Sequence, residues 1–305
     1  MRVVAVGSVA LDTIHARGAA HADLLGGSAS YFGLASIHFG PVGLVAVVGE
    51  DFPAAELTRL RDRGIDLQGL EQQAGRTFRW EGAYAADLKE RRTLRTEEGV
   101  FAGFRPRLPE VYRRASALFL ANIDPDLQLE VLSQAGSVPL IALDTMNYWI
   151  TSKPSVLRSV IGKVHLLLIN DEEAALLTGF TPLVDAIEAL RGMGPPVIVV
   201  KKGPHGVLAR GPWGWLALPA LPVSGVTDPT GAGDSFAGGL VGFLAGGSWR
   251  ERDAFAQALA MGTAVASLVV EDWGVDRLAQ DRSAEIWARC GQLREMTRFD
   301  VPRRS

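Results

Sequence analysis

The sequence is poor in cysteine, histidine and long apolar runs, and each shortage argues against a class of protein. Cys290 is the single cysteine among 305 residues, so an intramolecular disulfide is impossible and a reducing compartment is indicated. Five scattered histidines argue against a structural zinc site. The longest apolar runs, such as residues 164–169, have the length of a strand and fall far short of the roughly 20 residues that span a membrane.

The chain also has little excess of positive or of negative charge. The formal net charge is −3, which makes nucleic acid an unexpected partner. Apolar residues make up 48% and charged residues 21%, an ordinary globular composition that argues against long disorder. Residues 1–7 indicate a strand and not a signal peptide, because the apolar run is short and Asp12 soon interrupts it. A cytoplasmic α/β protein without membrane or nucleic-acid partners is therefore expected.

A glycine-rich stretch, DPTGAGD at residues 228–234, directly precedes an apolar run that predicts a helix. Glycine lets backbone amides turn towards a ligand, and amides at a helix start form an anion site. The carboxylate of Asp234 would repel an anion there, unless it takes a proton from a nucleophile that attacks a phosphoryl group held by those amides. The alternative is an ordinary helix start with Asp234 as a first-turn charge. From these residues alone, both interpretations stay open.

Polar residues follow the carboxyl ends of several predicted strands. They include Asp12, Asp144, Asn170 and Lys201. Turn capping explains any one of them, but ligands of open α/β sheets bind along this edge, so together they predict one crevice. A second glycine-rich helix start, at residues 26–30, could cradle a hydroxylated ligand beside Asp12.

Asn170 and Glu173 stand three residues apart at a strand-to-helix junction, so both can face one point. An amide oxygen and a carboxylate are hard oxygen ligands that suit Mg²⁺. Helix capping explains the same pair, and both roles can hold together.

Residues 65–96 show a different pattern. Phe78, Trp80, Gly82 and Tyr84 alternate with other residues, and residues 90–96 are polar and rich in arginine. This alternation predicts a small antiparallel sheet with one wet face. Such a sheet could be a lid over a site, a dimer surface, or a plain decoration of the main sheet edge. The aromatic residues near the predicted site could stack on a nucleobase or form the core of the lid; they are Phe78, Trp80, Tyr31, Tyr148 and Trp149.

In this order, the motifs resemble those of the ribokinase-like (PfkB-type) kinases of sugars and nucleosides. Residues 228–234 look like the C-terminal signature of that family, and Gly26-Gly27 matches the N-terminal signature in position. Asn170-x-x-Glu173 matches its Asn-x-x-Glu motif. The resemblance implies a three-layer α/β/α fold with a mostly parallel central sheet, formed by residues 1–305 as one domain. It also implies a small antiparallel β lid, made mainly of about residues 65–96 and part of about 10–30.

The resemblance implies ATP-dependent, Mg²⁺-dependent phosphoryl transfer to a hydroxyl of a small sugar or sugar-like substrate. Its catalytic residues would be the base Asp234 and an anion hole formed by Gly231, Ala232 and Gly233. The substrate would contact Asp12, Gly26, Gly27, Ser28, Tyr31 and Asn147. The nucleotide would contact Asn170, Lys201, Gly203, Gly206 and Gly262, although the small residues around Gly262 equally favour close helix packing. Asn170 and Glu173 would hold Mg²⁺, partly through water, Asp228 a monovalent cation such as K⁺, and the lid would form a homodimer.

Two departures from the family pattern leave the substrate open. Tyr31 stands where the family usually has an asparagine that touches substrate hydroxyls. The stretch Asp144–Trp149 lacks the arginine expected of ketosugar-acid kinases. The alternative to a sugar is a nucleoside, phosphorylated at its ribose 5′-hydroxyl. A non-catalytic sensor would not need Asp234, and a dinucleotide-binding oxidoreductase would carry its glycine loop after the first strand.

Overall fold

The computed structural model describes residues 2–88 and 90–298. Its strands, in chain order, are β1 (Val3–Val6), β2 (Ala10–Ala16), β3 (Ala19–Gly26), β4 (Val42–Gly49), β5 (Asp66–Gln73), β6 (Arg79–Tyr84), β7 (Arg91–Glu97), β8 (Ala117–Leu120), β9 (Leu140–Leu143), β10 (Leu166–Asn170), β11 (Val197–Lys201), β12 (Val207–Gly211) and β13 (Gly214–Leu218). Its α-helices are α1 (Ser28–Ser36), α2 (Ala54–Asp62), α3 (Pro125–Gln134), α4 (Asn147–Ser152), α5 (Pro154–Ile161), α6 (Asp171–Thr178), α7 (Leu183–Gly192), α8 (Ala232–Leu244), α9 (Arg252–Val269) and α10 (Ser283–Thr297).

Local signals place several of these helix ends. Asp124 precedes α3 and its carboxylate accepts the backbone N–H of Asp126 at 3.0 Å, while Pro125 supplies the fixed φ that suits a first helical position. Gly179 ends α6 in the left-handed conformation, with φ 76°, which glycine adopts without a Cβ penalty. The sequence therefore sets these boundaries through neighbours a few residues apart.

Within the described residues, nine strands form one sheet in the order β13-β12-β11-β10-β9-β8-β1-β4-β5. Seven neighbouring strands of this sheet, β11, β10, β9, β8, β1, β4 and β5, run parallel, and β12 and β13 continue the sheet antiparallel. The inner strands are buried runs such as VVAV in β1 and VIVVK in β11, as expected where helices cover both faces. The chain leaves β1 first towards β4 and later returns to β8, so the strand order reverses at β1, the position where such sheets bind ligands.

Two hydrophobic cores lie on opposite faces of this sheet. One contains Phe32 of α1, Leu240 of α8 and Val265 of α9. The other contains Val131 of α3 and Leu190 of α7. The predicted three-layer α/β/α architecture with a mostly parallel central sheet is confirmed.

A second sheet, in the order β3-β2-β6-β7, lies outside these layers and is called the lid below. Its two hairpins, β2–β3 and β6–β7, are antiparallel, and a parallel pairing of β2 with β6 joins them. The predicted extent of the lid is corrected at its start, because β5 pairs with β4 at the edge of the main sheet. Gly69 makes this possible, since a Cβ there would lie 2.5 Å from the carbonyl oxygen of Leu44.

No helix in the described part of the chain combines the length and the apolar character that crossing a bilayer requires.

Candidate active site

The loop before α8 has a shape that favours glycine. Gly231 has φ 72°, and a Cβ there would lie 2.3 Å from the ring of Tyr31. The first N–H groups of a helix have no intrahelical acceptor. That of Ala232 donates to the carbonyl of Pro229 at 3.3 Å, which corrects its expected place in the anion hole. Among the described residues no acceptor takes the N–H groups of Gly231 or Gly233, so these two amides are available to a ligand.

Asp234 lies in the first turn of α8, among buried charges. Burial, and after it the charge of Asp144, raise its pKa to about 7, against the opposing charges of Lys201 and Arg91. A carboxyl group titrating near neutrality can exist as a base at physiological pH, and a buried site of this kind marks a functional candidate.

Lys201 brings a cation to the same place. Its ammonium donates to the Asp144 carboxylate at 2.6 Å and would lie 3.2 Å from a Cβ on Gly233. Burial alone would lower the pKa of Lys201, but the carboxylates around it, Asp144 first, raise it above its ordinary value. The ends of β9 and β11 thus supply an ion pair beside the glycine loop, as the crevice prediction requires.

Asn170 and Glu173 form a reciprocal capping box at the start of α6. The Asn170 side chain accepts the Glu173 N–H at 2.7 Å, and the Glu173 carboxylate accepts the Asn170 N–H at 2.9 Å. Burial raises the pKa of Glu173 to about 7, and Lys201 opposes this shift. The Glu173 carboxylate therefore lies near Lys201 and Asp144, and the capping interpretation of the motif is correct.

Asp12 and the glycine pair lie on the other side of the cleft. A Cβ on Gly26 would lie 2.0 Å from an oxygen of Asp12, so glycine is needed for this carboxylate to rest there. Burial, and after it the charge of Asp228, raise the pKa of Asp12 to about 8, against a hydrogen bond from the Gly27 N–H that lowers it. Ser28 has a different contact from the one expected, since its hydroxyl lies 3.2 Å from that of Ser8 after β1.

Tyr31 connects these two halves of the cleft. Its ring packs on Gly231, and burial followed by the charge of Asp12 raises the pKa of its phenol. The phenolic oxygen is buried but has no hydrogen-bond partner among the described residues. A buried hydroxyl without a partner is costly, so this oxygen is a candidate contact for a bound ligand.

Asp228 joins two loops through hydrogen bonds to its carboxylate. One carboxylate oxygen accepts the Thr230 N–H at 2.8 Å, and the other accepts the Gly274 N–H at 3.1 Å. Burial raises its pKa, and these backbone hydrogen bonds lower it. The residue therefore holds the approach to α8 against the loop that follows α9.

The loop after β11 contains two glycines with different surroundings. Gly206 has φ 85°, and a Cβ there would meet the carbonyl oxygen of Leu218 at 2.1 Å, so the hairpin itself requires glycine. Gly203 has φ 52°, and none of the other described residues comes within 4 Å of its Cβ position, so a ligand can approach its backbone. Only Gly203 therefore has the room expected at a nucleotide loop.

Two expected site residues have other surroundings. Gly262 is buried between α8 and α9, where a Cβ would lie 2.7 Å from the Phe236 carbonyl oxygen. The missing side chain serves close packing of the two helices, and a contact with the nucleotide stays a prediction. Asn147 begins α4 and is exposed, and among the described residues no hydrogen bond joins its side chain to the cluster around Asp234.

The structure also brings to the site two residues that sequence analysis did not assign to it. Tyr84 of β6 makes a 2.9 Å hydrogen bond to the hydroxyl of Thr230, which ties the lid to the glycine loop. Arg91, its partner across the β6–β7 hairpin, is the lid cation whose charge lowers the pKa values of Asp12 and Asp234. The alternating pattern of β6 placed Tyr84 on the aromatic face, but the register with β7 was needed to find Arg91.

Comparison with known proteins adds independent findings. Residues 12–281 match the family described as pfkB family carbohydrate kinase. The chain is 30% identical over 277 residues to a cytidine kinase of Thermococcus kodakarensis, a match covering 89% of this chain and 97% of that protein.

Solved structures share the fold. A nucleoside kinase of Methanocaldococcus jannaschii superposes with a TM-score of 0.77 at 21% identity, covering 96% of this chain and 99% of the other. An Escherichia coli protein provisionally named ribokinase II, solved with ATP and Mg²⁺, superposes with a TM-score of 0.79 at 18% identity, covering 95% of this chain and 99% of the other. At these identities the similarity establishes the three-layer architecture.

Proposed function

This chain belongs to the pfkB family of carbohydrate kinases, and we propose that within this family its substrate is a nucleoside. It is an ATP-dependent, Mg²⁺-dependent kinase that transfers a phosphoryl group to a hydroxyl of a small sugar or sugar-like molecule. A nucleoside offers such a group in its ribose 5′-hydroxyl. The observation that carries the proposal is the 30% identity to a cytidine kinase along 97% of that protein's length. A free sugar is the second candidate, because the ribokinase-like neighbour has the same fold.

The geometry supports Asp234 as the general base. Its carboxylate stands in the same turn of α8 as Gly233, so the base and the available amides face one space. Because burial holds its pKa at about 7, the carboxylate can accept the proton of an attacking hydroxyl near neutral pH. The amides of Gly231 and Gly233 would stabilise the negative charge on the transferring phosphoryl group, since phosphoryl transfer depends mainly on positioning and electrostatics.

Lys201 would add a positive charge on the nucleotide side of the same space. It lies beside Gly233 and is oriented by Asp144. From there the phosphates of ATP can extend along the loop that contains Gly203, where the backbone is accessible.

Asn170 and Glu173 fit the role of residues that position Mg²⁺, partly through water. Glu173 is a buried carboxylate, and Lys201, the nearby cation that lowers its pKa, is already paired with Asp144. Mg²⁺ usually keeps several waters and binds one or two carboxylates together with substrate phosphates. Bound here, it would supply neutralisation of the phosphate charge.

Asp12 and Tyr31 fit the role of substrate contacts. The carboxylate of Asp12 can accept hydrogen bonds from ribose hydroxyls, and the unpartnered phenol of Tyr31 lies close enough for Asp12 to raise its pKa. Gly26 and Gly27 form the wall behind Asp12 and bring a backbone N–H to it. A ribose held here would direct its 5′-hydroxyl towards Asp234.

ATP consumption with a panel of acceptors tests the substrate class. The panel contains cytidine, adenosine, inosine, guanosine, ribose, fructose and 2′-deoxycytidine, each with Mg²⁺ in K⁺ and again in Na⁺. We expect at least one ribonucleoside to be phosphorylated with a higher kcat/KM than ribose, and the deoxynucleoside to be poorer because one hydroxyl is missing. Turnover of free sugars alone would contradict the nucleoside proposal. Higher turnover in K⁺ would support a cation site at Asp228, and equal turnover in both salts would contradict it.

We also propose that the whole chain works as one kinase domain, with β2, β3, β6 and β7 as its lid, and that two copies pair through the lid. The lid edge strand β7 is exposed over residues 91–96 and offers backbone groups for pairing with another strand. Sedimentation of the purified protein at micromolar concentration is expected to give twice the mass of one chain. A particle of single-chain mass would contradict the pairing.

A further inference from the structure

Trp80 lies on the inner face of the lid, next to Asp12. In the parallel pairing of β2 with β6, Asp12 stands opposite Trp80, so both side chains leave the sheet on the same face. That face points into the cleft, because the charges of Asp12 and Asp228 interact there. Tyr84 lies on the same face, two residues after Gly82, and its hydroxyl is hydrogen-bonded to that of Thr230.

The six-membered ring of the Trp80 indole lies against Gly82. A Cβ on Gly82 would lie 2.1 Å from the nearest ring atom and 2.3 Å from the next, so any side chain at this position would displace the ring. The indole N–H donates to the hydroxyl of Thr93 across the hairpin at 3.2 Å. These two contacts hold a rigid aromatic surface against the strand without a binding partner having to order it.

The guanidinium of Arg91 lies over this indole, 5.3 Å from the ring centroid. A planar cation stacks on an aromatic face, so its position shows that one face of the ring is accessible to a flat group. Arg91 is an exposed residue of the edge strand that also hydrogen-bonds to Tyr84, so a flat group that stacks on this face would take the place of its guanidinium.

We infer that Trp80, held over Gly82, is the surface on which the nucleobase of the substrate stacks. The inference rests on the nucleoside proposal and extends it to a specificity-determining residue. A ribose bound at Asp12 has its base within reach of the neighbouring strand, about 5 Å away, where Trp80 lies. Stacking accepts any base, so this contact selects for nucleosides over free sugars and leaves the choice among bases to other groups.

Steady-state kinetics of three variants with the best nucleoside of the panel test the inference. Trp80→Ala is expected to lower kcat/KM for the nucleoside about 5- to 150-fold, the range of a lost base–aromatic stack, mainly through KM. Trp80→Phe retains a flat ring and should restore most of the loss. Gly82→Ala keeps Trp80 but displaces its indole, so its kinetics should resemble those of Trp80→Ala. The KM for ATP should stay within about twofold in all three, because the stack lies on the substrate side.

Trp215→Ala is the matched control. Arg210 lies over Trp215 at 5.5 Å, so the same pair of side chains recurs on β12 and β13, at the end of the main sheet away from Lys201. A normal nucleoside KM in Trp80→Ala would overturn the inference while leaving the nucleoside proposal standing. A normal nucleoside KM in Gly82→Ala alone would overturn the role of Gly82 in holding the indole. If the unchanged protein phosphorylates sugars but no nucleoside, the nucleoside proposal fails, and the stacking role falls with it.

Discussion

The Asp234→Asn variant is expected to turn over its substrate at least about 10²-fold more slowly than the unchanged protein, the scale of a lost general base. Asparagine keeps the shape of the side chain but cannot accept a proton from the attacking hydroxyl. The fold and ATP binding should persist, because the change removes a buried charge that burial and Asp144 already disfavour. Measurement of kcat, with ATP binding followed by calorimetry, separates lost catalysis from lost binding.

The matched control is Asp253→Asn. Asp253 also lies in the first turn of a helix, α9, but its side chain is 92% exposed. The turnover of the Asp253→Asn variant should be unchanged. Near-normal turnover in Asp234→Asn, or an equal loss in both variants, would exclude Asp234 as the base.

The pH dependence of the unchanged protein gives a second readout of the same role. Burial raises the pKa of Asp234 to about 7, so the carboxylate form that acts as base becomes populated as the pH rises through that value. We expect kcat/KM to increase with pH from about 6 and to level off above about 8. Glu173 and Asp12 titrate in the same range, so the step need not correspond to one proton. An activity that decreases over this range would contradict the assignment.

The Gly233→Asp variant is expected to lose about 10²- to 10³-fold or more in turnover, the scale of a removed oxyanion donor. The three described atoms nearest to a Cβ at Gly233 all belong to the side chain of Lys201, with the ammonium at 3.2 Å, and this flexible side chain can move to accept the new one. The new carboxylate would lie beside Lys201 and over the available amides, where it competes with the phosphoryl group of ATP.

Gly247→Asp makes the same substitution just beyond the other end of α8. Gly247 is exposed, and within the described part of the chain no atom beyond its own neighbours lies within 4 Å of its Cβ position. We expect this control to keep its turnover and both variants to keep their melting temperature within a few degrees. Equal turnover in the two variants would exclude the amides from the mechanism. Gly231 is a poorer test, because its φ of 72° and the Tyr31 ring would turn any substitution into a defect of the loop.

The features that sequence analysis placed correctly are mostly local. The glycine loop before α8, the capping box at Asn170 and Glu173, and the polar residues at the ends of β9, β10 and β11 depend on residues a few positions apart. Backbone conformation and capping act over that distance, so composition and spacing are enough to recognise them. The order of these motifs also supported the family and its three-layer fold.

Residues far apart in the chain account for what composition and spacing could not give. The pairing of β5 with β4, the packing of Tyr31 on Gly231, and the position of Trp80 beside Asp12 join segments separated by tens to hundreds of residues. The small residues around Gly262 are typical of a ligand site and of a helix contact alike, and the approach of Phe236 shows the helix contact. Which strand lies beside which depends on how the whole core is buried, and no local pattern carries that information. The motifs that identify the kinase family were therefore readable along the chain, whereas the surface proposed to meet the substrate arises from packing.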